Sequence, residues 1–399
     1  MPVLLLVVFI NFVGIGALIP VLPYTVIETL GLSASVMTML LASFAFAMFL
    51  SNPILGRLSD HVGRRRVLFI SLGVNALAHL WFAMSDNIVE MFAARILAGL
   101  AAGNTGVIQA MIADRVGADQ RARYMGLFGA AIGTGFVAGP ALGGLLSGVG
   151  GGAPHQAPFL IAAAFGVVAL LLSLRLGGAG RVQPVLRTDL TLYQRISQLV
   201  QSPLALYAVA FFCLNLSFAQ VEASYVLLLR DYLGFGARET GWIFTYIGVC
   251  IVMVQAGLIN VAVKYLREVG TVLFGGSLLC AGQMLTVLLA LGLLIGDHYP
   301  IAQILVVTTA VCFGFGFSNP ALSAAASNAA GQSSMGGALG TVQGFASLGQ
   351  VGGLVLAGPL YQLGGAEYPF GFGVMITAIL LLVLLVIQRR QGGGHQGQG

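Results

Sequence analysis

Apolar residues fill this chain in long unbroken blocks, and polar residues are confined to short gaps between them. The blocks run roughly over 3–29, 34–55, 66–85, 88–113, 122–147, 157–175, 203–229, 239–262, 269–295, 299–322, 335–362 and 368–388. A helix of about 20 apolar residues crosses a hydrocarbon core of about 30 Å, and these blocks are of that length. Their apolarity is continuous rather than alternating, which predicts helices and argues against the strands of a transmembrane barrel. The spans fall into two groups of six. Between the groups, 176–202 is the longest polar stretch before the tail. The pattern therefore predicts an all-α membrane protein of 12 transmembrane helices in two bundles. Its expected parts are an N-terminal bundle over 1–175, a linker over 176–202, a C-terminal bundle over 203–390 and a disordered tail over 391–399.

Composition agrees. The chain is 58% hydrophobic and 8% charged, whereas a soluble domain carries about a quarter charged residues. Its 56 glycines suit membrane helices, where a missing side chain lets backbones approach closely. The net charge of +5 does not point to nucleic acid, because the basic residues sit in short loops between spans. Arg57, Arg64, Arg65 and Arg66 follow span 2, and Arg115, Arg121 and Arg123 follow span 4. The linker region has Arg175, Arg181, Arg187 and Arg195. Lys264 and Arg267 follow span 8, and Arg389 and Arg390 close the chain. Of the 18 lysines and arginines, only Arg230 and Arg238 lie on the opposite side, and Arg95 alone lies inside a span. The positive-inside rule then puts both termini and the linker in the cytoplasm. The expected location is the plasma membrane, which in a bacterium is the inner membrane. The first span has no basic flank and is too long for a signal-peptide core, so it reads as a retained helix.

Several function classes drop out. Cys213, Cys250, Cys280 and Cys312 all lie in apolar runs, so no disulfide framework is implied. The one lysine, Lys264, is followed by Tyr265, so no phosphate-binding loop is present. The histidines at 61, 79, 155, 298 and 395 lack metal-ligand spacing. The reading is a transporter rather than an enzyme, with no cofactor and no metal. Its expected partners are the lipid bilayer, protons and a small-molecule substrate, and the expected state is a monomer.

The segment between spans 2 and 3, "GRLSDHVGRRRVL", concentrates charge that the chain otherwise avoids. Gly56 allows close approach, Gly63 tolerates a positive φ, and Asp60 brings a carboxylate beside the arginines. The segment resembles the loop 2–3 signature of the major facilitator superfamily, Gly-x-Leu-x-Asp-x-x-Gly-Arg-Arg/Lys. The resemblance implies a cytoplasmic gate. Asp60 would face the start of span 11, and Arg64 or Arg65 would face Asp114 at the end of span 4. The matching stretch of the second half, "GLINVAVKYLREVG", is eroded, with Asn260 where an Asp might stand. A faint repeat supports related halves: Gly117 and Gly126 match Gly331 and Gly340 at one offset, which also sets Asp114 opposite Asn328. Related bundles suggest a substrate site between them.

Span 5 reads "GLFGAAIGTGFVAGPALGG", with Gly126, Gly135, Gly139, Pro140, Gly143 and Gly144. Gly135, Gly139 and Gly143 share one helix face, and Pro140 weakens the local ladder. The spacing resembles the superfamily's antiporter signature, which implies a proton-coupled exporter. Span 4 adds "RILAGLAAG", which resembles a motif whose intramembrane arginine is linked to proton transfer. Arg95 is either that residue or a side chain that snorkels to the outer interface. The first 175 residues resemble drug–proton antiporters of the tetracycline-exporter type. They depart from that pattern at Asn11, where an acid is expected, and at Ala78 and His79 in span 3.

Glu222 is the one acid well inside a span. A charge at the bilayer centre costs about 2.5–3.5 kcal/mol on insertion scales, so such an acid marks a cavity or a proton site. Glu222, His79 and Arg95 are therefore the proton-coupling candidates. The cavity candidates are uncharged amides: Asn11, Asn104, Gln109, Asn215, Gln220, Gln255, Asn319 and Gln343. With abundant Phe, Tyr and Met, they suit lipophilic or cationic molecules better than sugars or phosphate esters. The expected function is export of such molecules by alternating access. A facilitator, an importer or a lysolipid transporter on the same fold is the alternative.

Overall fold

The computed structural model describes residues 1–116, 118–176, 197, 202, 204–293, 300–330 and 335–393. Among these there are helices and turns and no strand. The first half holds α1 Pro2–Gly16, α2 Ala34–Val62, α3 Arg64–Met84, α4 Ile88–Arg115, α5 Ala118–Leu146 and α6 Gln156–Leu174. The second half holds α7 Leu204–Leu233, α8 Ala237–Met253, α9 Ile259–Ala290, α10 Pro300–Ala330, α11 Met335–Gly364 and α12 Glu367–Gly393. Each expected span falls on one of these helices. Nine helical stretches among the described residues are long and apolar enough to cross a membrane. Most of the linker expected at 176–202 and the end of the tail lie outside the described residues.

The ends of the helices follow local chemistry. Pro2 opens α1, where its fixed φ suits a first turn and its missing N–H costs nothing. Ser33 accepts a hydrogen bond from the Val36 amide at 3.4 Å to start α2. Asn87 caps α4 reciprocally: its Oδ1 accepts from the Glu90 amide at 3.0 Å, and its Nδ2 donates to Glu90 Oε1 at 2.7 Å. The first bond satisfies one N–H that a helix start leaves free, and the second ties the two side chains together. Span 1 is not one straight helix. After α1 it passes through turns to a π-helical turn at Tyr24–Thr29. Span 4 is interrupted at Gly103 and Asn104. Span 8 runs on through a π-helical turn at Val254–Leu258.

Two compact units result. One comprises Met1–Leu186 with Leu229–Val249, and the other comprises Arg187–Leu228 with Cys250–Gly399. In the first, α1 packs on α5 and α6, α3 packs on α4 and α6, and α2 crosses α4. Its core includes Leu4, Val8, Leu68, Leu72, Ile108 and Met111, all fully buried. The first unit also takes in the end of α7 and most of α8. There the Tyr24 hydroxyl donates to the Phe235 carbonyl at 2.7 Å and lies 2.9 Å from Thr240 Oγ1. In the second unit, α9 packs on α10 and α12, and α11 packs on α12.

The two halves turn between their second and third helices by different means. Gly63 joins α2 to α3 at φ 104°, ψ 130°, a region that only glycine enters without strain. Arg267 makes the matching break inside α9 at φ 59°, ψ 178°, and it is the one non-glycine residue with positive φ among those described. Gly56 has an ordinary φ, and a Cβ added there meets nothing within 4 Å.

Backbone strain should be measurable at these turns. Gly63→Ala is expected to destabilise the folded protein by about 1–3 kcal/mol, and Arg267→Gly to stabilise it by a comparable amount. Gly56→Ala should change little, within about 0.5 kcal/mol. Thermal unfolding of the purified protein in detergent orders the three variants.

Candidate functional site

The charged hinge folds into a fork. Arg64 opens α3, and its guanidinium lies 3.4 Å from Asp60 Oδ1 on the last turns of α2. The same group reaches Asp114 Oδ2 at 2.5 Å, at the end of α4. One arginine thus ties three helix ends together. Arg65 donates to the carbonyl of Leu174, the last residue of α6, where a cation meets the negative end of that helix. The two arginines divide the work: Arg64 takes the carboxylates and Arg65 caps a helix. All five groups belong to the first unit. In the second unit the corresponding contact is different in kind. Asn328 Nδ2 donates to Glu268 Oε1 at 3.2 Å, so a carboxylate stands after the turn where the first half has Arg64.

The glycines of α5 form a packing seam. A Cβ on Gly135 would meet the Phe12 side chain at 2.8 Å and the Phe9 carbonyl at 2.9 Å. One on Gly139 would meet the Val13 carbonyl at 2.6 Å and Gly16 Cα at 2.8 Å, and Gly143 faces the Ala17 backbone. This whole face is spent on α1. Gly144 turns the other way, with Gly241 Cα of α8 2.7 Å from where its Cβ would stand. Pro140 lies inside the same helix, as does Gly126. Helix α5 is thereby held between α1 and the start of α8, with no space for a side chain at any of these four glycines.

In the second unit, Glu222 is the one carboxylate among the described residues that lies away from a helix end. Its Oε2 accepts from Gln350 Nε2 of α11 at 3.2 Å. Half a turn earlier, Gln220 Nε2 donates to the Gly353 carbonyl at 2.9 Å. A second polar knot closes the other side of α7. The Ser217 hydroxyl lies 2.6 Å from Thr377 Oγ1, and Gln283 donates to Ser217 Oγ at 2.9 Å while accepting from Thr377 at 3.0 Å.

Arg95 does not snorkel. It is 3% exposed, and its guanidinium carbon sits 4.2 Å above the centre of the Phe44 ring. That contact substitutes a ring face for a counter-charge. His79, also buried, packs edge-on to Phe159 with ring centres 6.0 Å apart. Among the described residues neither of its ring nitrogens has a hydrogen-bond partner, and Arg95 Nε and Nη1 have none either.

Sequence-predicted amides separate into two sets. Asn11 accepts from Asn75 Nδ2 at 2.9 Å, and Asn104 donates to Ser71 Oγ at 3.0 Å. Asn215 bonds back to the Phe211 carbonyl of its own helix. These three, with Gln220, tie helices or turns together. Gln109, Gln255 and Gln343 are exposed and Asn319 is half-buried. Sequence reasoning missed Asn75, four residues before His79 on the same face of α3, and Gln350, the partner of Glu222. The signal for Gln350 was present: it is an amide in an apolar span, as Gln343 is.

Comparisons with known proteins agree over nearly the whole length. The family model described as Major Facilitator Superfamily matches residues 4–292. Multidrug resistance protein 1 of Bacillus subtilis (strain 168) is 30% identical over 385 residues, covering 94% of this chain and 93% of that protein. Quinolone resistance protein NorA of Staphylococcus aureus (strain COL) is 27% identical over 387 residues, covering 94% and 93%. The crystal structure of the nucleoside transporter NupG superposes with a TM-score of 0.76 at 13% identity, covering 96% of this chain and 98% of that one.

The α1–α5 seam makes a sharp demand on residue size. Gly139→Val drives a branched side chain into the Val13 carbonyl, and overpacking of this kind costs about 1–3 kcal/mol or more. Gly129 has nothing within 4 Å of an added Cβ, so Gly129→Ala should be silent. The expected outcome is a clear loss of monodisperse protein and of melting temperature for the first variant only, read by size exclusion and thermal unfolding.

Proposed function

We propose, from the premise that this chain belongs to the Major Facilitator Superfamily of membrane transporters, that it is a proton-coupled exporter of lipophilic or cationic small molecules. The chain is a multi-pass membrane transporter and not an enzyme. Substrate, coupling ion and direction form the proposal. Transport would proceed by alternating access of the two bundles, in a bacterial inner membrane with both termini inside.

One observation carries the coupling. Glu222 is a carboxylate in an apolar span whose hydrogen-bond partner is a neutral amide rather than a cation. A carboxylate paired with arginine would stay ionised, whereas one facing an amide can take up and release a proton. In this reading Glu222 loads a proton from one side and discharges it on the other. Arg95 and His79 are secondary candidates. The guanidinium over Phe44 would bias the field around His79, and both are buried without a carboxylate partner.

The substrate class follows from what the spans lack. They offer amides, aromatic rings and methionines, with no paired basic residues to hold a phosphate or a dicarboxylate. The names of two relatives, a multidrug resistance protein and a quinolone resistance protein, support that reading. Energetics permit it. One proton falling through 100 mV releases about 2.3 kcal/mol, and at about 1.4 kcal/mol per decade this sustains roughly a fifty-fold gradient of an uncharged substrate.

The Arg64 fork would serve the inner gate. Its carboxylates stay partly open to water, so a clasp built from these pairs would be able to open and close in every cycle.

The test is transport in liposomes with an imposed pH gradient and a panel of lipophilic amines, sugars and lysolipids. Lipophilic amines should accumulate against their gradient, and sugars should not. Glu222→Gln should abolish gradient-driven accumulation while leaving substrate exchange across the membrane intact. If uphill transport by Glu222→Gln matches wild type, the proton does not travel through this carboxyl group.

A further inference from the structure

The seam between α7 and α11 has two rungs of unlike chemistry. The backbones touch at the glycines of α11. A Cβ on Gly353 would meet the Leu216 carbonyl at 2.6 Å, and Gly349 lies against the Phe212 carbonyl. Across this contact Gln220 of α7 reaches the Gly353 carbonyl, and Gln350 of α11 reaches Glu222. The first rung ends on a peptide carbonyl, which has no proton to gain. The second ends on a carboxyl group, which does.

A glutamine is unusual in being able to serve both states of that carboxyl. Toward the ionised form it donates from Nε2, as the structure shows. Toward the protonated form it accepts at Oε1 after its amide plane turns over. A lysine or arginine at this position would hold Glu222 ionised. A leucine would leave it without a partner in either state.

Among the described helices of the second unit, none sets a charged residue in mid-span beside this pair. α10 and α11 carry no Asp, Glu, Lys, Arg or His. α9 keeps Lys264, Arg267 and Glu268 in its first turns, and α12 keeps Glu367, Arg389 and Arg390 near its ends. On α7 itself, Arg230 and Asp231 pair with one another two turns beyond Glu222. The nearest titratable side chain along α7 is Tyr225, whose hydroxyl is bonded with Thr308 of α10.

We infer that Gln350 is the positioning residue for Glu222: its amide sets the proton affinity of the carboxyl group and keeps α7 bonded to α11 in both protonation states. This rests on the reading of Glu222 as the proton carrier. The effect runs through the ionised form. Removing a donor from a carboxylate disfavours ionisation, so the group holds its proton to higher pH. A hydrogen bond to a charged group is strong enough to move the midpoint by about one to two pH units.

The experiment is an infrared titration of the reconstituted full-length protein, following the protonated carboxyl band that Glu222→Gln removes. In Gln350→Met, which keeps the side-chain length and removes the amide, the midpoint should rise by about one to two units. In Gln350→Asn it should fall between wild type and Gln350→Met. The pH optimum of gradient-driven transport should move with it. An unchanged midpoint in the two variants overturns the inference, and Gln350→Asn carries the test if Gln350→Met does not fold. The band reads Glu222 whether or not the protein couples to protons. A wild-type rate of uphill transport in Glu222→Gln would therefore expose a failure of the transport reading separately.

Discussion

Close contact between helix backbones is the constraint on which the rest of this protein depends. Helices in lipid gain little hydrophobic energy by meeting, because the tails around them are as apolar as their own side chains. Association must come from van der Waals contact and from hydrogen bonds that lipid cannot supply. The chain meets this by omitting side chains along chosen faces. Gly135, Gly139 and Gly143 lay α5 directly on α1, and Gly349 and Gly353 lay α11 on α7. The consequence is positional. With α7 and α11 at backbone distance, two glutamines can span the seam, and one of them ends on the carboxyl group proposed to carry the proton.

Polar groups inside the bundles are handled by pairing rather than by exclusion. Asn11 with Asn75 and Asn104 with Ser71 each make one bond across neighbouring helices, and Ser217, Gln283 and Thr377 bond to one another. An unsatisfied polar group in a medium without water is expensive, and the buried amides Asn11, Asn104 and Gln220 are used as ties. Arg95 shows the same economy by other means, resting its cation on the ring of Phe44. Glu222 differs from all of these because it is an ionisable group whose partner is a neutral amide.

Charge that can stay in water does so, and there it is arranged asymmetrically. The first half closes its second and third helices with a glycine turn and an arginine that binds two carboxylates. The second half makes the same turn with a strained Arg267 and follows it with Glu268, bonded to a neutral asparagine. The two halves therefore differ in chemistry at the corresponding turn. The first half thus has a charge–charge fork at this turn and the second half an amide–carboxylate pair.

The sequence by itself determined the spans, their number and the loops that hold the arginines. Whether a stretch of about 20 residues belongs in lipid is a property of its own composition and needs no knowledge of its neighbours. It also determined the hinge and the α5 pattern, because Gly63 and the spaced glycines answer local backbone and packing demands. Only the tertiary structure decided who meets whom. Asn11 and Asn75 are 64 residues apart in the chain, Glu222 and Gln350 are 128 apart, and Gln220 and Gly353 are 133 apart. The amides of these spans look alike in sequence. Which of them becomes a tie, which stays free and which faces an acid depends on how each helix is rotated against its neighbour. That rotation is set by the summed contacts of whole helix faces, and so it could not be read from any one residue.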